Sequence, residues 1–178
     1  MKTKRIAIDG IMAALYVVLG FISLDFGMVK ISVEELPVIL AGLMMGPVDG
    51  MIVGGLGTFI CQIIRYGISA TTALWMLPYI ACGLVCGLCA MKSNYYNTGK
   101  QLWLIIIAAG MVTFVLNTLA IYVDSKVYGY YSVPYVWGAL GVRLLVLVIK
   151  TAAFGLLIMP ILKAMAKITG RKKNDDIR

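Results

Sequence analysis

The sequence contains no histidine, which removes the commonest general base and metal ligand of proteins. It also contains no phosphate-binding loop of the form GxxxxGK(S/T), so we do not expect the chain itself to hydrolyse ATP. Charged residues are scarce, at 13% of the chain, and no pair of carboxylates within an apolar segment suggests a proton relay. These absences argue against an enzyme, a self-sufficient proton-driven pump and a bound cofactor.

Hydrophobic residues make up 61% of the 178 residues, far more than in a soluble domain of this size. The first apolar segment directly follows the basic N-terminus and has no small-residue cleavage site, so we expect it to remain in the protein. Apolar segments fill the rest of the chain and leave no stretch for a soluble catalytic domain. The composition therefore predicts a single integral membrane domain over residues 1–178.

The net charge of +8 comes largely from the two ends of the chain. Most lysines and arginines lie near the N-terminus, in one loop or in the tail: Lys2, Lys4, Arg5, Lys92, Lys100, Lys163, Lys167, Arg171, Lys172, Lys173 and Arg178. Basic segments are retained in the cytoplasm, so both termini should be cytoplasmic, with residues 163–178 as a basic tail. The charge thus describes membrane topology, and we expect no nucleic-acid partner.

Six apolar segments are candidates for membrane-spanning helices, at residues 6–23, 33–45, 51–64, 73–91, 102–123 and 137–162. The second has only about ten strongly apolar residues, whereas a helix that crosses a bilayer needs about 20. We include it because two cytoplasmic termini require an even number of crossings. The prediction is an all-α membrane protein with six transmembrane helices. The polar stretch 25–35, which alternates like a short strand at 28–33, is predicted to be an outer lid between helices 1 and 2.

Small residues recur along the apolar segments. Cys82, Cys86 and Cys89 lie on one helical face, but no histidine or carboxylate accompanies them, so we predict packing residues and no metal site. Three glycine pairs have the spacing that lets helices pack closely in lipid: Gly42 with Gly46, Gly50 with Gly54, and Gly83 with Gly87. Packing inside the bundle is the preferred interpretation of these pairs, and docking of a partner membrane protein is the alternative.

The last apolar segment carries two cations, Arg143 and Lys150. They are seven residues apart, so they lie on one face of a helix and about 10 Å apart along its axis. A charge inside a membrane segment is costly and therefore usually faces a partner, a cavity or a ligand. For Arg143, and for Arg65 at the end of the third segment, the alternatives are an ion pair with Glu34 or Glu35 and the acid group of a ligand. Lys150 lies deeper, at the floor of any such pocket, and either contacts the ligand or serves the structure.

Further polar residues are predicted at the same, outer end of the membrane domain. Gln62 and Arg65 close the third segment, and two arginines near one cavity suit a ligand with carboxylates, which a guanidinium binds through two parallel hydrogen bonds. Trp75 and Tyr79, one helical turn apart, suit the stacking of a flat ring, although such aromatics more often form the interfacial belt. The predicted substrate-binding residues are Glu35, Gln62, Arg65, Trp75, Tyr79, Asn117, Arg143 and Lys150.

One stretch of the sequence resembles a known family. Residues 29–32 read VKIS and residues 36–47 read LPVILAGLMMGP, followed by a glycine-rich segment with Gly50, Gly54, Gly55 and Gly57. This is similar to the segment R/K-I-S-x-x-x-L-P-I-x-L-A-G-L-x-x-G-P of the folate-family S-components of energy-coupling factor (ECF) vitamin transporters. The specific motif covers about 40 residues, and the general pattern of short spans with basic ends covers nearly the whole chain.

The resemblance implies a high-affinity vitamin-binding subunit in a bacterial plasma membrane. Such subunits work with a transmembrane coupling protein and two cytoplasmic ATPases, and they are thought to carry the ligand inward by toppling in the membrane. The first helix of the family often offers an AxxxA face to the coupling protein. Here the nearest equivalent is Gly10 with Ala14, which departs from that motif but keeps small residues.

The resemblance does not fix the vitamin. Folate suits the cations and the aromatic residues, because it has two carboxylates at one end and a flat pterin at the other. Pantothenate has one carboxylate and no ring, and thiamine is a cation that the arginines would repel. Folate is therefore the preferred ligand and another anionic vitamin, such as pantothenate, is the alternative. A membrane scaffold whose cations pair only with its own glutamates is the third hypothesis.

Overall fold

The structure is a computed structural model that describes residues 2–25, 30–93 and 99–168. The described part contains six α-helices, which confirms the predicted all-α class: α1 Lys2–Phe21, α2 Glu35–Met45, α3 Pro47–Tyr66, α4 Thr72–Lys92, α5 Gly99–Val127 and α6 Leu140–Ile168. Two short strands, β1 Leu24–Asp25 and β2 Lys30–Ile31, pair antiparallel between α1 and α2. Residues 26–29, which belong to the predicted lid, lie outside the described residues, so the lid function stays a prediction.

Helix α2 is short because it is enclosed by other helices. Its 11 residues extend about 16 Å, roughly half the thickness of a bilayer core. Residues 37–43 are all buried, and α2 contacts α1, α3, α4 and α6. A helix that is apolar on every side is typical of a buried position, so the uniformly apolar composition of this segment reflects protein packing.

The corner between α2 and α3 is built from one glycine and one proline. The N–H of Gly46 donates to the carbonyl of Gly42 at 3.1 Å and closes α2, and its φ of 114° favours glycine. Pro47 opens α3, where its missing N–H has no helical partner to lose. The tight turn makes α2 and α3 antiparallel neighbours without a connecting loop.

Glycines bring the backbones of α3 and α4 into contact. A Cβ atom added to Gly83 would lie 2.3 Å from the carbonyl carbon of Gly50, and one added to Gly87 would lie 2.2 Å from the nitrogen of Pro47. Cys86, which is fully buried, packs against Gly42 of α2 from the same face of α4. These contacts confirm that glycines of the three predicted pairs, and the buried cysteines, serve packing inside the bundle.

Four segments of the described chain are long and apolar enough to cross a membrane: Pro47–Tyr66, Thr72–Lys92, Gly99–Val127 and Pro134–Leu162. Their outward surfaces expose large apolar side chains, among them Leu104, Leu145, Val148 and Leu156, at 60–72% of their full accessibility. Apolar side chains in such number are typical of contact with lipid. Helix α1 has 20 residues but carries Lys4, Arg5 and Asp9 in its first half.

The start of the last helix differs from the predicted boundary at residue 137. A π-helical turn, Pro134–Gly138, precedes α6, with Pro134 as its first residue. Arg143 lies in the first turn of α6 itself, directly after this π-helical turn. At the other end, α6 continues to Ile168, so the first residues of the predicted tail are helical. Residues 169–178 of that tail lie outside the described residues.

A candidate ligand-binding cavity

A cavity of about 600 Å³ opens at one end of the bundle, where α1, α3 and α5 end and α2, α4 and α6 begin. All eight predicted substrate-binding residues line it: Glu35 from α2, Gln62 and Arg65 from α3, Trp75 and Tyr79 from α4, Asn117 from α5, and Arg143 and Lys150 from α6. They meet because successive antiparallel helices bring alternating helix ends to the same side of the bundle. Their role in binding remains a prediction, but their placement around one cavity is a property of the fold.

The deepest cation of the cavity forms an ion pair with a glutamate. Lys150 Nζ lies 2.8 Å from Glu35 Oε1, and the side chains are only 16% and 7% exposed. The Lys150 ammonium also lies 5.7 Å from the ring centre of Phe154, one turn along α6. The pair connects the N-terminus of α2 to the middle of α6, so part of the charge on this span is neutralised within the chain.

Arg65 is held by the end of α1. Its guanidinium donates to the carbonyl of Gly20 and to the hydroxyl of Ser23, the latter at 3.0 Å, and it lies 5.1 Å from the ring centre of Phe21. These contacts join the last turn of α3 to the last turn of α1. Arg65 therefore has a structural role at the rim of the cavity, whatever it contributes to a ligand.

Arg143 reaches the backbone of the π-helical turn. Its guanidinium donates to the carbonyls of Tyr135 and Val136 over 3.3 and 3.5 Å, which are long for such bonds. Charge-assisted bonds to a carboxylate are shorter and stronger than bonds to a neutral carbonyl. An acid group that enters the cavity is therefore a better acceptor for Arg143 than these two carbonyls are.

A hydrogen-bonded group of side chains forms the floor of the cavity. The hydroxyl of Tyr79 donates to Glu34 Oε1 at 2.7 Å, and Glu34 is almost completely buried. The ring of Tyr79 meets the ring of Tyr16 edge to face, with centres 5.4 Å apart. Thr58 donates to the hydroxyl of Tyr16 at 3.0 Å and so extends the group to α3. Part of the Tyr79 ring is thus already engaged by the protein.

Asp124, in the last turn of α5, collects three donors near the mouth of the cavity. Its Oδ1 atom accepts from Thr71 at 2.5 Å and from the indole N–H of Trp75 at 3.3 Å, and its Oδ2 atom accepts from Tyr130. These residues come from the α3–α4 loop, from α4 and from the loop after α5. A single carboxylate therefore ties three chain segments together around Trp75.

The contact with Asp124 gives a prediction for Tyr130, which lies in the loop after α5. Burial and the bond to the Asp124 carboxylate raise the pKa of the Tyr130 phenol above its ordinary value of about 10. The stabilisation that this phenol provides is complete below the pKa of the unfolded state and is lost as pH rises through the higher folded pKa. We expect Asp124→Asn to lower the pKa of Tyr130.

The measurement is the phenolate absorbance followed against pH, with Tyr130→Phe identifying the contribution of this residue. An unchanged titration of Tyr130 in Asp124→Asn would show that the carboxylate does not hold the phenol.

Two predicted binding residues have polar groups that remain available. No hydrogen bond joins the side-chain amides of Gln62 or Asn117 to another described residue, and both line the cavity. An amide offers both a donor and an acceptor, which suits a ligand with polar edges.

The predicted partner-facing residues lie on α1. Gly10 and Ala14 are exposed, and a Cβ atom on Gly10 would meet nothing within 4 Å. The predicted partner-facing surface is therefore sterically open.

Sequence reasoning missed several residues of the cavity wall, chiefly Glu34, Asp124, Tyr16 and Tyr130. The sequence suggested Glu34 only as an ion-pair partner of an arginine and gave no role to Asp124, although each borders an apolar segment. A carboxylate beside an apolar segment is often turned into the protein, where hydroxyl groups donate hydrogen bonds to it, and this was the overlooked indication. Nothing in the spacing of the sequence connects Asp124 to Thr71 or to Trp75, since these contacts exist only in the folded chain.

Among the side chains that the structure describes, six charged ones line the cavity: Glu34, Glu35, Asp124, Arg65, Arg143 and Lys150. Three of these are carboxylates and three are cations. The residues that the structure describes contain no group of three or more histidine, cysteine, aspartate or glutamate side chains placed to hold a metal ion. The chemistry that these residues offer is the binding of a charged, polar ligand.

Comparisons with known proteins agree on the kind of protein. The family model for the ECF transporter substrate-specific component matches residues 4–168. A solved structure described as the S component of a bacterial ECF transporter superposes with a TM-score of 0.67 and 22% identity, over 93% of this chain and 99% of that one. No curated protein matches the sequence. The chain therefore belongs to the family of ECF transporter substrate-specific components, which are membrane-embedded, substrate-binding transporter subunits and not enzymes.

Proposed function

We propose that this S-component takes up folate. The observation that carries the proposal is the cavity, where Arg143 and Lys150 from one helix face Trp75 and Tyr79 from another. Its volume of about 600 Å³ lies within the range of about 300–1,000 Å³ that is typical of small-molecule sites. A ligand with an acidic end and a flat heterocyclic end matches both groups of side chains.

The cations support an acidic ligand in different ways. Arg143 donates to two neutral carbonyls over long distances, and a carboxylate is a stronger acceptor than either of them. Lys150 supplies a second positive charge, about two helical turns deeper on the same face. Trp75, Asn117 and Gln62 then contact the remainder of the ligand. In this arrangement Arg65 contributes mainly a positive charge at the rim.

The transport assembly is part of the same proposal. A transmembrane coupling protein contacts the exposed side of α1 at Gly10 and Ala14, and two cytoplasmic ATPases supply the energy. The chain resides in a bacterial plasma membrane, crosses it six times and has both termini in the cytoplasm. Helix α2 contributes the second crossing together with the chain that precedes it, since its 11 residues are too short alone.

A smaller anionic vitamin such as pantothenate is the second candidate. The observation that favours it is the engaged ring of Tyr79, which already packs against Tyr16 and leaves less aromatic surface for a pterin. Pantothenate needs one cation for its carboxylate and no stacking surface. The scaffold hypothesis is weaker than both, because it does not require a cavity of this size.

Titration of the purified protein with folate, pantothenate and riboflavin, followed by tryptophan fluorescence, tests the proposal. We expect folate to quench the emission, because Trp75 lines the cavity. The Trp75→Phe variant should lose most of this signal, although calorimetry should still detect binding. Tight binding of pantothenate without a response to folate would support the second candidate, and no response to any vitamin would support a scaffold.

A further inference from the structure

The ion pair between Lys150 and Glu35 differs from the other charged contacts of the cavity. It joins two side chains that are 115 residues apart in sequence and nearly buried in the middle of the bundle. Lys150 is the only deep cation of the described cavity wall, since Arg65 and Arg143 lie nearer the helix ends. Glu35 thus occupies the position that the acid group of a deeply bound ligand needs.

The other carboxylates of the cavity have firmer attachments. Asp124 accepts three hydrogen bonds from three different segments, and Glu34 accepts the hydroxyl of the buried Tyr79. Glu35 is joined to Lys150 through one oxygen atom, at 2.8 Å. A lysine ammonium has three donors on a flexible stem, so it exchanges one acceptor for another more readily than a fixed network does.

The position of Glu35 favours this exchange. Among the described residues, three carboxylates and three cations line the cavity, and Glu35 is the carboxylate next to Lys150, so a bound acid and Glu35 would share one ammonium. Like charges that are brought together in a poorly solvated site weaken binding, unless one of them moves or is neutralised. An acid that binds to Lys150 must therefore compete with Glu35.

We infer that Glu35 is an internal counter-ion, which the acid group of an anionic ligand replaces at Lys150. The inference rests on the proposed function and gives Glu35 a role in specificity. Without a ligand, Glu35 neutralises the buried ammonium of Lys150. Weak or neutral ligands do not displace Glu35 and so gain no contact with this ammonium. A ligand displaces Glu35 when its acid group, together with a second contact such as Arg143, binds Lys150 more strongly than Glu35 does.

The test is a gain of affinity. In Glu35→Gln the competing charge is removed while the size of the side chain is kept, so we expect folate to bind at least about tenfold more tightly, as measured by calorimetry. Riboflavin, which has no carboxylate, should show no such gain. The matched control is Asp49→Asn, which removes another ion-paired carboxylate, 2.6 Å from Arg5 and outside the cavity wall. It should leave the affinity for folate unchanged.

A second measurement examines the pair without a ligand. A double-mutant cycle of Glu35→Gln and Lys150→Met, read by thermal unfolding, should show positive coupling between the two side chains. Absence of coupling would overturn the inference, because the pair would then not hold Lys150.

The binding results separate this inference from the proposed function. Folate binding that is unchanged or weakened by Glu35→Gln would overturn the inference alone, since Glu35 would then be neutral or a direct ligand contact. Silence of every acidic vitamin, in the wild type and in Glu35→Gln, would overturn both.

Discussion

Replacement of Arg143 by alanine should weaken folate binding by about 100-fold or more. Removing one partner of a desolvated, charged hydrogen-bonded pair generally costs about 2–5 kcal/mol. Arg143 donates to two neutral carbonyls at 3.3 and 3.5 Å, and the carboxylate of a ligand is a stronger acceptor than either of them. Calorimetric titration of the purified variant measures the loss, with thermal unfolding to establish that the variant is folded.

Three comparisons make the result specific. Arg143→Lys keeps the charge but loses the planar pair of donors, so it should recover part of the affinity. Lys126→Ala removes a cation that lies over the ring of Tyr131, outside the cavity wall, and should have little effect. A pterin without the glutamate end should bind equally to the wild type and to Arg143→Ala. An equal loss for that truncated ligand would mean that Arg143 acts by positioning the Tyr135–Val136 backbone.

Replacement of Gly83 by alanine should destabilise the fold by about 3 kcal/mol or more. The added Cβ atom would lie 2.3 Å from the carbonyl carbon and from the carbonyl oxygen of Gly50. Both are backbone atoms, so the clash is relieved only if α3 and α4 separate. Extra volume in a packed interior commonly costs about 1–3 kcal/mol of folding stability, and sometimes more. The thermal unfolding midpoint in detergent and the yield of folded protein measure the effect.

Gly141→Ala is the matched control for this experiment. Gly141 lies in the first turn of α6, and a Cβ atom there would meet nothing within 4 Å. Alanine favours a helix over glycine by about 1 kcal/mol, so this variant should be as stable as the wild type or slightly more so. If Gly83→Ala unfolded at the same temperature as Gly141→Ala, the close approach of α3 and α4 would not be essential to the fold.

The sequence was informative about the cavity because charge is rare in this chain. Arg143 and Lys150 stand out inside an apolar segment. The free-energy cost of placing a charge in lipid is enough to predict that they face something polar. Trp75 with Tyr79, and Gln62 with Arg65, are one turn apart, so helical periodicity places each pair on one face. These arguments need only local geometry and a count of charges, and the structure places all of these residues around the same cavity.

The choice of partners was not accessible from local geometry. Four pairings were possible between the arginines and the neighbouring glutamates, yet it is Lys150 that holds Glu35. Arg65 turns instead to the end of α1, and the position of Arg143 depends on the π-helical turn that precedes α6. Such contacts join residues that are far apart in sequence, and the distances between them depend on how the helices cross.

The sequence by itself determined the class of the protein: its apolar composition requires a membrane, and the glycine spacing of its central segments requires close helix contacts. Only the tertiary structure decided that α2 is a buried half-length helix, that Asp124 gathers three segments around Trp75, and that Glu35 neutralises Lys150. The physical reason is that entry into a membrane depends on the apolar composition of the chain as a whole, which the sequence contains. Charge pairing in a cavity depends on which helix ends meet, and that is settled when the bundle packs.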